Sequence, residues 1–185
     1  MNNEFERIYL TATELHALER DIAIRRHVER YAMVRQWCHG AVLDFACGCG
    51  YGTALISKNP DVESIVGIDI DEDSIKYATE QYSHPKIVYK AQSIDQFNGQ
   101  IDVMVCLETI EHIRDSAFVP AHADRLKIKE IILSYPSKKT THYNLFHYHD
   151  YNTDTLMGLF KSYKLIDEIS LHHEVKMLRL QRSEL

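Results

Sequence analysis

The sequence predicts an α/β chain built on a doubly wound sheet with helices on both faces, and three observations carry that prediction. Short apolar runs alternate with stretches of helical periodicity from residue 41 onward, the pattern of strands joined by crossover helices. The first run, Ala41-Val42-Leu43, leads straight into a glycine-rich turn, Asp44-Phe-Ala-Cys-Gly48-Cys-Gly50-Tyr-Gly52. The second, Ile65-Val66-Gly67-Ile68, closes on an acid, Asp69, 17 residues beyond Gly52. A strand, a glycine turn, a helix and a second strand ending in an acid make a nucleotide-binding βαβ unit.

Residues 12–38 read as a helix or helical pair, because Leu15, Leu18, Ile22, Val28, Tyr31, Met33 and Val34 recur near helical spacing. Thr13 is its expected cap. A strand at about 41–45 precedes a helix over 52–58. The strand at 65–69 precedes a helix from Asp73 to Tyr82, which Asp71 or Asp73 can cap. His84-Pro85 breaks the chain before a strand over 86–90. Ile101 to Leu107 is nearly continuous in apolar character, as a central parallel strand covered on both faces must be. A helical region over 109–125 leads to the strand Glu130–Ser134, ended by Tyr135-Pro136. A polar and aromatic loop, Ser137 to Asn152, precedes a helix over 153–161. Residues 164–169 and 175–180 make a closing pair, antiparallel in part. Seven strands result, in one domain over 1–185: an N-terminal helical element, 1–40, and a core, 41–185. Neither a linker nor an internal repeat interrupts it.

Composition narrows the class. At 185 residues, 45% hydrophobic and 26% charged, the chain suits a single globular domain. No stretch of 18 apolar residues suggests a membrane span, and Met1–Glu6 lack the basic start of a signal peptide. The four cysteines form no metal-type pairs, so reduced thiols in a cytoplasmic protein with no membrane partner are expected. Net charge −6 and pI about 6.0 disfavour nucleic acid as a partner, since that binding usually shows as a basic patch.

Asp44 decides between ligands. A dinucleotide fingerprint needs a third glycine where Thr53 stands, and an acid at the strand end would repel a pyrophosphate. The same carboxylate suits a ligand with an ammonium and a sulfonium, S-adenosylmethionine (SAM). The glycines, on this reading, let the backbone approach that ligand closely. Asp69 can accept from both ribose hydroxyls, with Ile70 against the adenine face. The bland reading of Asp69 is a helix cap.

Three motifs in register extend the argument: Val42-Leu43-Asp44-Phe-Ala-Cys-Gly48-Cys-Gly50-Tyr-Gly52, Val66-Gly67-Ile68-Asp69-Ile70, and Asp102-Val-Met-Val-Cys-Leu-Glu108-Thr-Ile-Glu111-His112. In spacing and order they resemble the class I SAM-dependent methyltransferases, over nearly the whole chain. The resemblance implies a Rossmann-like sheet and SAM as cofactor. It implies contacts from Asp44, Ala46, Gly48, Gly50, Asp69, Ile70 and Leu107. An acid contacting the adenine amino group should follow the third strand; here Ser93 stands in its place, before Ile94. His27-Val-Glu-Arg30-Tyr31 resembles a His-x-x-Arg-Tyr element of glycan- and small-molecule-modifying relatives, with Arg30 or Tyr31 against the methionine portion. A solvated helix face is the bland alternative. Cys47 and Cys49 read as packing residues in the turn, and Trp37 and the tyrosines as core and pocket wall.

The chemical site is expected after the fourth strand. If Glu108 opens a helical turn, Glu108, Glu111 and His112 share one face. Two carboxylates and an imidazole suit Mg²⁺, Mn²⁺, Co²⁺ or Zn²⁺. A fourth ligand would come from the loop after the fifth strand, which holds His142, His147 and His149. The motif resembles those of ubiquinone-pathway O-methyltransferases and of small-RNA 3′-end 2′-O-methyltransferases; the second resemblance, with a histidine of the later loop as fourth ligand, implies His147 once the loop is registered on Tyr151. Methyl transfer is an in-line displacement helped by positioning, and a hydroxyl acceptor must lose its proton, to a metal-assisted route or to His112 or His147 as base. Alternatively the two glutamates only favour a helix start. His172-His173 reads as surface. Two departures stand out: Arg125–Lys129 replaces a Pro-Gly-Gly turn, and Tyr135-Pro136-Ser137 replaces Thr-Pro-Asn near the acceptor.

The leading expectation is O-methylation of a small-molecule or glycan-type acceptor. A metal-dependent RNA 2′-O-methyltransferase, a SAM-binding module without catalysis and, distantly, a nicotinamide-dependent dehydrogenase are the alternatives. The acceptor and the oligomeric state stay open.

Overall fold

Thr11, not Thr13, opens the first helix. The structure, a computed structural model, describes residues 10–183; Met1–Glu6, read above for a targeting signal, lie outside the described residues. In helix α1 (Ala12–Val34) the Thr11 hydroxyl accepts from the Glu14 N–H at 3.2 Å while the Glu14 carboxylate accepts from the Thr11 N–H at 2.8 Å. That reciprocal box satisfies two end donors at once, which a cap at Thr13 could not do with the residues around it. Only Arg30, Tyr31 and Val34 of α1 are buried, and its residues 12–25 are all exposed.

The alternating core follows: β1 (Gly40–Phe45), α2 (Tyr51–Ile56), β2 (Val62–Asp69), α3 (Glu72–Gln81), β3 (Ile87–Ala91), β4 (Val103–Leu107), α4 (Phe118–Arg125), β5 (Glu130–Pro136), α5 (Thr153–Leu159), β6 (Tyr163–Leu171) and β7 (Val175–Arg182). The sheet order is β3-β2-β1-β4-β5-β7-β6, with β7 antiparallel to both neighbours and the other pairings parallel. The chain runs outward from β1 to β3 and then returns to lay β4 on the other side of β1. That reversal opens a crevice at the carboxyl ends of β1 and β4.

Strand alternation divides the core into two layers. Val103, Val105 and Leu107 of β4 face one way with Val42, Ile132 and Met177, under Tyr31, Val34 and Ile56. Met104 and Cys106 face the other way with Leu43, Ile131, Leu133 and Leu178, under Ile94, Val119, Leu156 and Phe160. Both faces are therefore dry, which is why β4 reads as an unbroken apolar run.

The helix expected over 109–125 is two pieces, a 3-10 turn at Ile110–His112 and α4. Asp115 divides them. Its carboxylate accepts from the Ala117 N–H at 3.0 Å and its carbonyl from the Phe118 N–H at 3.0 Å, a local bonding pattern that competes with helix continuation.

Candidate functional site

A cavity of about 500 Å³ lies in the crevice, bounded by the β1 turn, the ends of β2 and β4, and α1. Asp69 sits on its wall at the end of β2. One carboxylate oxygen accepts from the Gly48 N–H at 2.9 Å and the other from the Asp71 N–H at 3.0 Å. The acid is thus fixed by backbone, with a lone pair on each oxygen still available. Beside it Ile70 is 78% exposed, an aliphatic side chain held at the cavity lip with nothing of the chain covering it. Ser93 and Leu107 are on the wall as expected. Ile94 is not: its side chain is fully buried in the core, so the expected contact through that side chain is corrected.

The glycine turn works differently from the expectation. Gly48 has φ +52°, and a Cβ there would meet nothing within 4 Å, so this residue faces the open cavity. Ala46 takes a left-handed φ of 59° on the same wall. Gly50 instead faces inward: a Cβ would lie 2.6 Å from that of Ala78 and 2.9 Å from the Tyr89 hydroxyl. Its expected ligand contact is corrected to packing of α3 and β3 on the turn. Gly52 meets the Tyr31 ring in the same way.

Asp44 is the largest correction. Its carboxylate is fully buried behind the cavity wall, accepting from the Tyr31 hydroxyl at 3.2 Å and the Thr53 hydroxyl at 2.5 Å. Direct contact with a cationic ligand is replaced by a supporting role, in which Asp44 ties α1 and α2 to β1. Thr53, noted from sequence only as a missing glycine, is the donor that this arrangement requires. Burial pushes Asp44 up to about 7, against the two hydroxyl hydrogen bonds that lower it. The sign follows from linkage. Between the unfolded carboxylate value near 4 and about 7 the native state holds the extra proton, so stability falls as pH rises through that window. Asp44→Asn is expected to flatten this slope, which urea melts at pH 5 and pH 7.5 would measure.

Arg30 and Tyr31 both line the cavity, and Arg30 is buried, its guanidinium 2.9 Å from His27 Nδ1. At the cavity's other end stand Glu108 and His112. Glu108 does not open a helical turn. It has φ 49°, and its carboxylate accepts from the Ser134 hydroxyl at 2.6 Å while its N–H donates to the same oxygen at 2.9 Å. The expected shared face of Glu108, Glu111 and His112 is therefore corrected. The structure gathers Glu111, His112 and His147 instead, with ligand atoms within 4.8 Å of one another.

The two histidines of that group are anchored from behind. His112 Nδ1 lies 3.0 Å from the Phe146 carbonyl, an arrangement that makes Nδ1 the donor and leaves Nε2 as the free base. His147 Nδ1 is 2.6 Å from the Thr140 hydroxyl. The two rings stack edge to face at 4.5 Å. Burial, and then the charge of Glu108, raise Glu111 to about 8, and its Oε2 is buried without a hydrogen-bond partner. His149 is turned to the Arg114 carbonyl, and His142 to Tyr143, so of the three loop histidines the site receives His147. The loop's shape comes from Asp150, whose carboxylate accepts from the Thr140 and Thr141 N–H groups at 2.7 and 3.2 Å and from the Thr141 hydroxyl at 2.6 Å. Asp150 stood out in the sequence only as the acid of the pair Asp150-Tyr151 that follows the loop histidines; Thr140 and the Phe146 carbonyl were not singled out.

Residues 42–127 match a family model described as a methyltransferase domain. The chain is 31% identical over 78 residues to the mitochondrial ubiquinone biosynthesis O-methyltransferase of Saccharomyces cerevisiae, a match covering 40% of this chain and 25% of that one. It thus spans about a quarter of the length of that curated relative. Among solved structures, magnesium protoporphyrin IX methyltransferase from Synechocystis PCC 6803 with bound SAH superposes with a TM-score of 0.75 at 16% identity, covering 96% of this chain and 90% of that one. The small RNA methyltransferase HEN1 superposes with a TM-score of 0.66 at 16% identity, covering all of this chain and 27% of that one. At such identities the likeness is one of fold.

Proposed function

We propose that the chain is a class I SAM-dependent methyltransferase domain, as the methyltransferase model matched over residues 42–127 supports, and that it transfers the SAM methyl group to a hydroxyl of a small-molecule acceptor, glycan-type hydroxyls included. One observation carries this reading: a single cavity joins Asp69, Ile70 and Ser93 at one end to Glu108 and His112 at the other. The first group suits an adenosine, with the ribose hydroxyls on Asp69 and the base against Ile70. The Gly48 backbone and the Arg30 guanidinium suit the methionine portion, Arg30 as partner for its carboxylate. The sulfonium methyl then points to the histidine end, where an acceptor oxygen would be aligned for in-line attack. With no metal bound, His112 Nε2 is the base that takes the hydroxyl proton, with its ring oriented by the Phe146 carbonyl.

The gathered group fits a divalent cation. A buried carboxylate oxygen without a donor, next to two imidazoles each anchored through Nδ1, is a donor set that a metal would satisfy. Glu111, His112 and His147 would hold it, and a bound ion would supply a lowered hydroxyl pKa and a fixed orientation for the acceptor.

Isothermal titration tests both parts. S-adenosylhomocysteine is expected to saturate the chain at one site, and no heat of binding would end the methyltransferase reading. Mn²⁺ is expected to bind independently, with Glu111→Gln weakening it by about 100-fold or more and leaving the cofactor product's affinity intact. Unchanged Mn²⁺ affinity in that variant would remove the metal from the proposal.

A further inference from the structure

The loop that delivers His147 also presents the most exposed apolar surface outside the cavity. Leu145 is 87% exposed, Phe146 73% and Tyr143 67%, with the less exposed Tyr148, at 40%, under the Arg114 guanidinium, 4.5 Å from its ring. This exposure is built in. The Asp150 carboxylate clamps Thr140 and Thr141, the Tyr143 and Asn144 N–H groups donate to the Thr140 carbonyl at 3.1 and 2.9 Å, and the Phe146 N–H donates to the Asn144 side chain at 3.0 Å. The backbone is held, and the apolar tip points away from it.

Two facts choose the occupant. Tyr143, Asn144 and His147 line the cleft between this loop and α1, whereas Leu145 and Phe146 line neither that cleft nor the cavity at the β1 turn, so a small acceptor in the cleft would leave them in water. In addition, residues 137–149 contain Lys138 and Lys139 and three histidines but no acid, on a chain of net charge −6. Lys138 borders the cleft, and the Arg114 guanidinium lies over the Tyr148 ring. Exposed aliphatic and aromatic side chains in a loop that also carries cations match the chemistry of an anionic bilayer surface: the tip enters the headgroup boundary while the cations meet lipid phosphates. The acidity of the remainder acts little here, because charges further off than the Debye length, about 8 Å, are screened.

We propose that the loop Ser137–Asp150 docks on the surface of an anionic membrane and holds the active-site cleft at the lipid boundary. No helix among the described residues is long and apolar enough to cross a membrane, so the contact is peripheral. It departs from the expectation of no membrane partner, which rested on the lack of a spanning segment.

Flotation of the full chain with phosphatidylglycerol/phosphatidylcholine vesicles tests this. Binding to these vesicles is expected, weakened about tenfold or more by Leu145→Ser/Phe146→Ser and similarly by Lys138→Glu/Lys139→Glu. S-adenosylhomocysteine affinity is expected to stay at the parent value in both variants, which separates this result from any failure of the methyltransferase reading. Four outcomes would overturn the proposal: no binding to the anionic vesicles, equal binding to pure phosphatidylcholine, binding unchanged in both variants, or a dimer in sedimentation velocity that the Leu145→Ser/Phe146→Ser change abolishes. The last would assign the patch to a second copy of the chain. Should the apolar variant fail to fold, the lysine variant decides.

Discussion

Asp69→Ala is expected to weaken S-adenosylhomocysteine binding by about 100-fold or more, close to 2.7 kcal/mol. The magnitude has two sources. A carboxylate accepting from two ribose hydroxyls makes two charge-assisted hydrogen bonds, each worth roughly 1.5–3 kcal/mol. The same carboxylate accepts from the Gly48 and Asp71 N–H groups, so its removal also loosens the turn that faces the ligand. Asp69→Asn keeps one acceptor oxygen and should lose only about tenfold. Because Asp69 is only partly buried, neither variant should unfold, and circular dichroism would verify this alongside the titration. An alanine variant binding within about threefold of the parent would remove the ribose from Asp69.

How much of this was legible in the sequence depends on the kind of information involved. The order of strands and helices was, because burial on two faces leaves continuous apolar runs such as Ile101–Leu107, and half-burial leaves periodic ones. The position of Asp69 was, because a residue at the carboxyl end of β2 must border the crevice whatever its rotamer. The burial of Asp44 was not. It depends on Tyr31, 13 residues earlier, folding back over the turn, a long-range contact that no local pattern encodes. Nor was Glu108's exit from its helical turn, which follows from the Ser134 hydroxyl on the neighbouring strand. The choice of His147 over His149 rested on registering the loop on Tyr151, and the fold places His147 beside Glu111 and His112 while His149 turns to the Arg114 carbonyl. The exposure of Leu145 and Phe146 was invisible, since apolar residues in a loop read equally well as a buried plug.

The turn glycines make the sharpest contrast between packing and ligand binding, and Gly52→Ala should be the more destructive change. Intrinsic propensity argues the other way, since alanine in place of glycine inside a helix such as α2 gains up to about 1 kcal/mol. Geometry outweighs it. The new Cβ would overlap the Tyr31 ring, which is one of only three buried residues anchoring α1 and a donor to the buried Asp44 carboxylate. Overpacking typically costs about 1–3 kcal/mol, and depriving a buried carboxylate of a donor adds roughly 1.5–3 more. The net expected loss is about 1.5–5 kcal/mol, or a melting temperature lower by on the order of 10 °C for a chain of this length. Gly48→Ala inverts the pattern. Nothing opposes its Cβ, so only the left-handed φ of +52° costs stability, about 1–2 kcal/mol, while the methyl group enters the cavity and obstructs the ligand. Thermal melts and cofactor-product titrations on the two variants should therefore rank in opposite orders. If Gly52→Ala melted at or above the parent temperature, Tyr31 could not be the strut that joins α1 to the turn.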